Sequence, residues 1–216
     1  MRPGDLFIEE EIPAIQRAIF PKALSDAYKA VAALVAETPF LQCPPAKQAD
    51  GHLVTWAVDF AVWQLIETGK WQVEGYDWAW FKKPTGRYLR IFTKRSTVTI
   101  SQLVDDSQQP RHAEFRANGA YDEQIPLLLL PGEKELITKG RTHLLLAHGH
   151  QNLQFVYFAM PNPEKKPAWL GRSANLMTEI HDISANLAPA EGPKEIDDQT
   201  INIKEQLKKK LRDHGS

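Results

Sequence analysis

The sequence predicts an α+β domain: N-terminal helices packed on an antiparallel sheet, then a C-terminal linker and helix. Three observations carry this. Residues 53–68, LVTWAVDFAVWQLIET, are apolar on nearly every helical face, as a helix enclosed by a core is. After Trp71 the apolar period drops to two, the period of a strand. Beyond APAEGP at 188–193, Ile196, Ile203, Leu207 and Leu211 again mark one helical face.

Ile12, Pro13, Ala14 and Ile15 are expected to begin a short helical stretch after an irregular start, and Pro21 suits the first turn of a longer helix. In that helix Leu24, Tyr28, Val31 and Val35 recur at three- and four-residue steps, so one face is buried. Pro39, Pro44, Pro45 and Gly51 then read as a loop. The 53–68 helix follows, with Asp50 placed to cap its first amides and Gly69 to take a left-handed end. It is shorter than the roughly 20 apolar residues of a membrane span and carries Asp59, so it reads as a core helix. Asp59 is expected on a narrow polar stripe with Thr55, Gln64 and Glu67.

In the sheet region Tyr76, Trp78 and Trp80 alternate with Asp77, Ala79 and Phe81, and Lys83-Pro84-Thr85-Gly86 has the residues of a type I turn. Strands at 87–93 and 97–104 complete a meander, and 112–116 is a further candidate strand. Residues 127–130 are too short to type, and 168–183 are ambiguous. A second hairpin is expected over 142–160. The predicted organisation is one domain over 1–187, helical at 8–69 and sheet-rich at 71–160, with linker and amphipathic helix at 188–216.

With 43% hydrophobic and 25% charged residues the chain can fold around a sizeable core, and a net charge of −1 leaves no global field that demands nucleic acid. Any such site must be a local patch. One cysteine, Cys43, rules out an intrachain disulfide, and the acidic MRPGDLFIEEEIP start does not read as a secretory signal, so a cytoplasmic, non-membrane protein is expected.

Two clusters carry candidate chemistry. Trp78, Trp80 and Tyr88 with Lys82, Lys83, Arg87, Arg90, Lys94 and Arg95 combine stacking rings with cations, the set a protein or single-stranded nucleic-acid partner would meet. Alternating aromatics are otherwise core, and turn lysines are otherwise solvated. His148 and His150 form the second cluster. Strand alternation places His148 with Leu144 and Leu146 and turns His143 the other way. The pair suits general acid–base work or part of a divalent metal site completed by Asp59 or His112, although a turn histidine bonded to backbone needs neither. No cofactor is otherwise predicted.

The favoured function is a non-catalytic interaction or regulatory protein, binding a protein or nucleic acid through the meander and through the helix carrying Ile203, Leu207 and Leu211. The alternative is a phosphodiester hydrolase using His148 or His150 with Asp59 or Asp77, which requires those groups within about 10 Å in one pocket. Casting Asp59, Glu74 and Asp77 as metal ligands with Lys94 lacks the acid, any residue, lysine triplet of a nuclease strand. A toxin or antitoxin component held by a partner would lose stability on deletion of 196–211. Nucleophile-elbow, phosphate-loop and dinucleotide patterns are absent, and Cys43 before Pro44 and Pro45 has no assigned base.

Overall fold

A computed structural model describes residues 2–47, 49–80, 87–110 and 140–179, together with Ile203, Glu205, Gln206, Lys208 and Lys209. The expected strand at 112–116, the segment 127–130, the linker 188–193, and Lys82, Lys83, His112, Leu207 and Leu211 lie outside the described residues.

The helices come first: α1 (Pro3–Glu11), α2 (Ala14–Arg17), α3 (Phe20–Glu37), a 3-10 turn (Pro39–Gln42), α4 (Pro44–Lys47) and α5 (Asp50–Glu67). Among the described residues six strands follow: β1 (Gly75–Trp80), β2 (Arg87–Phe92), β3 (Ser96–Leu103), β4 (Thr142–Gly149), β5 (Val156–Pro161) and β6 (Trp169–Arg172). They form one open sheet in sequence order, so the α+β prediction holds.

α5 is the interior helix its composition implies, with Leu53, Val54, Ala57, Val58, Ala61, Val62 and Leu65 all buried. It and the apolar stripe of α3 cover one sheet face, where Leu89, Ile91, Val98, Leu144, Leu146, Val156 and Phe158 meet them in a common core. Phe20, Trp71 and Phe158 join helix to sheet edge-to-face, with centroids 4.9 and 5.1 Å apart at Phe20. The other sheet face buries Leu145, Ala147, Tyr157, Ala159 and Trp169. β4 is therefore buried at every position, as a central strand covered on both sides must be.

Five expectations need correction. The start is not irregular: α1 forms over Pro3–Glu11, its first turn closed by the Arg2 amide donating to Asp5 at 2.9 Å. α1 lies against β6 at a backbone contact so close that a Cβ on Gly4 would stand 2.7 Å from the Leu170 carbonyl oxygen. The proline-rich stretch after α3 carries the 3-10 turn and α4 rather than a plain loop, and Ala49, not Asp50, caps α5. Asp59 is buried at 8% exposure rather than on an open polar stripe. The sheet is not wholly antiparallel either: β3 and β4 run parallel from Ser96↔Thr142 to Leu103↔Gly149. A parallel pair needs a long crossover, which residues 104–141 are long enough to supply. The two hairpins, β1–β2 and β4–β5, and the left-handed Gly69 are as expected.

Ile203 has no exposed surface and belongs to the same core as α3 and α5, so that residue faces its own chain rather than a partner. Lys208 Nζ reaches Glu37 at 3.4 Å. Among the described residues no helix is long and apolar enough to cross a membrane.

Candidate functional site

Pairing register sorts the meander's side chains onto two faces. Tyr76, Trp78 and Trp80 share the helix-facing side with Leu89 and Ile91, while Asp77, Tyr88 and Arg90 share the other. Helix cover reaches Tyr76, whose hydroxyl accepts from Trp63 Nε1 at 3.0 Å and donates to Glu67 at 2.7 Å. Two and four residues further along the same face, that cover has ended. Trp78 is 37% and Trp80 64% exposed, so these rings are not the core residues that alternation alone suggests. Arg87 stacks on Trp80 with its guanidinium carbon 4.1 Å from the ring centroid.

Two of the four described cations of this surface are spent internally. Arg90 grips Asp77 through two bonds of 2.9 and 2.5 Å. Arg95 is held by Glu10 at 3.2 Å and Glu11 at 3.0 Å. Glu11 also accepts from the Thr93 hydroxyl and the Arg95 amide, both at 2.6 Å. Burial pushes the Glu11 carboxyl up, but these donors outweigh it and hold the group below its ordinary value. Of the described cations in the set, Arg87 and exposed Lys94 carry no ion pair among the described residues.

The histidines occupy different surroundings. His148 lies beside Gln102 on the helix-facing side of β4, opposite to His143, as alternation requires. It is buried at 1% exposure. The Tyr28 hydroxyl donates to the Gly149 carbonyl and lies 2.8 Å from His148 Nδ1. This network assigns the His148 hydrogen to Nδ1 and leaves Nε2, which has no hydrogen-bond partner, with its lone pair. Burial, aided by nearby His150, lowers the imidazole to about 4 against the pull of its bond to Gly149, so it is neutral at pH 7. Burial raises the Tyr28 phenol well above its ordinary range, with a Gln102 hydrogen bond opposing.

The hydrolase set does not come together around Asp77. Asp77 is three strands from β4, roughly 14 Å in strand spacings alone, and projects from the opposite face to His148. Asp59 stands eight residues along α5 from Gly51, against which His150 packs, or roughly 12 Å of helix rise. No three His, Cys, Asp or Glu side chains gather as metal ligands would among the described residues.

No family model, curated protein or solved structure matches this chain.

The carboxylate that shares a groove with His150 is Asp50, expected from the sequence only as a cap. Asp50, with Gly51 and Val54 of α5, lines a groove of about 770 Å³ together with Tyr28, Val31 and Val35 of α3 and His150 in the β4–β5 turn. Gly51 packs closely on the turn, since a Cβ there would meet His150 Cε1 at 3.3 Å. The α3 spacing and Asp50-Gly51 were both legible, but their convergence with the turn depends on how β4 passes under α3.

Proposed function

We propose that this protein is a non-catalytic binding protein that receives an extended segment of a partner protein along β1, with Trp78 and Trp80 as its anchors. The carrying observation is an aromatic edge strand that no described element pairs with or covers on its outer side. β1 pairs with β2 alone among the described residues, whereas the opposite edge, β6, has α1 packed against it. Sheet edges are ordinarily blunted by charge, proline or a covering element. β1, GYDWAW, offers one charge, Asp77, already neutralised by Arg90. An added strand would gain main-chain hydrogen bonds, with alternate side chains meeting the two exposed indoles.

A protein partner is favoured over nucleic acid because Arg90 and Arg95 are engaged with carboxylates and one side of Trp80 is occupied by Arg87. A cytoplasmic setting is part of the reading, supported by the exposed free thiol of Cys43. The test is selection of a displayed random-peptide library on the full-length chain. Peptides with alternating apolar residues are expected, and binding is expected to vanish in Trp78→Ser/Trp80→Ser and in Ala79→Pro while the fold persists. Binding untouched by these changes, or preferential binding of a short single-stranded oligonucleotide, would remove the strand-addition reading.

A further inference from the structure

The groove between α3, the start of α5 and the β4–β5 turn lies on elements other than β1, and its chemistry is specific enough to name an occupant. Its volume of about 770 Å³ falls in the range of small-molecule sites. Val31, Ala32, Val35 and Ala36 on α3 and Val54 on α5 give it apolar walls. Its polar lining is Tyr28, Gln42, Asp50, His150 and Gln151. Asp50 has a carboxylate oxygen, Oδ1, shut off from solvent without a hydrogen-bond partner. Among the described residues no cation pairs with Asp50.

Two of the other polar groups have their donors committed. Gln42 spends its amide nitrogen on the carbonyls of Val35 and Ala36, at 3.3 and 2.8 Å, which leaves its oxygen as the group to offer. The Tyr28 hydroxyl hydrogen is committed to Gly149. A groove with apolar walls and a carboxylate that no described cation neutralises calls for a ligand that brings positive charge and an apolar body. The first turn of a helix attracts anions, but Asp50 already supplies negative charge there, so a second anion would be repelled.

We infer that this groove is a binding site for a small organic amine, its ammonium group paired with Asp50 beside His150 and its hydrocarbon body lying along Val31, Val35 and Val54. Asp50 supplies the charge, and Gly51 allows the His150 ring to close over the first turn of α5. The inference is independent of strand addition at β1 and survives if that reading fails.

The probe is phenethylamine, compared with 2-phenylethanol and 3-phenylpropanoate, which keep the ring and change the polar end. Binding to the full-length chain is followed by amide chemical shifts and by thermal stabilisation. The amine is expected to bind at least roughly tenfold more tightly than the alcohol, with the carboxylate not binding, and to move the amides of Val31, Gly51, Val54 and His150. Asp50→Asn is expected to remove the preference for amine over alcohol. Ala32→Trp, at an exposed position on α3, is expected to block both ligands without unfolding the chain. Absence of amine binding, equal binding of the carboxylate, an unchanged amine preference in Asp50→Asn, or shifts clustered elsewhere would each overturn the inference.

Discussion

Replacing His148 by phenylalanine keeps a ring in the core and removes a group that the fold holds neutral. The folded imidazole titrates near 4 because it is buried, while in an unfolded chain it titrates near 6.5. As pH falls through 6.5 the unfolded chain takes up a proton that the native His148 does not, so unfolding is favoured. The contribution is fully present above pH 6.5 and is lost progressively as pH falls toward 4. Between pH 7 and pH 5 the two values give a loss of about 2 kcal/mol. That window lies above the range where carboxylates such as Glu11, held below its ordinary value, begin to contribute. The assay is urea unfolding followed by tryptophan fluorescence at pH 7, 6 and 5 for wild type and His148→Phe. Subtracting the variant removes the other histidines. A wild-type excess loss of about 2 kcal/mol is expected. Parallel pH profiles for the two proteins would refute the buried, neutral His148.

Tyr28→Phe removes the hydroxyl shared by Gly149 and His148, and urea unfolding at pH 7 is expected to show a loss of about 2 kcal/mol, more than one solvated hydrogen bond would cost. Gly4→Ala drives a methyl into the backbone of Leu170 and Gly171, and a similar loss of about 2 kcal/mol is expected in the same assay. Glu9→Ala leaves the buried Arg17 guanidinium without the carboxylate it meets at 2.6 Å through two nitrogens; since Glu9 itself is partly exposed, a loss of about 2 kcal/mol is expected rather than the larger cost of a fully buried pair. Arg87→Glu is expected to weaken peptide capture at β1 with little change in the urea midpoint, whereas Arg90→Glu and Arg95→Glu also break the pairs with Asp77, Glu10 and Glu11 and are expected to lower it.

Elements whose residues face one environment were readable in the sequence. α5 is apolar all round because it is enclosed, and β1–β2 and β4–β5 announce themselves through period-two patterns around short turns. α1 was not, because its burial rests on Gly4, Phe7 and Ile8 among three glutamates, and the glycine's role is visible only against Leu170 and Gly171. The parallel β3–β4 pair was equally hidden, since alternation along a strand says nothing about its neighbour's direction. At the candidate sites, alternation correctly grouped Trp78 with Trp80, but their exposure depends on where helix cover stops near Tyr76. The charge count of the meander was legible, whereas its neutralisation by Glu10 and Glu11 comes from a helix distant in sequence. Deleting 196–211 would not separate a partner-held component from a self-contained fold, because Ile203 is part of the chain's own core.

Backbone amide hydrogen exchange on the full-length chain, with and without a selected peptide, tests strand addition most directly. New protection confined to Gly75–Trp80, and absent in Ala79→Pro, is what an added strand at β1 predicts. Protection that leaves those six residues unchanged and falls on other elements would contradict it.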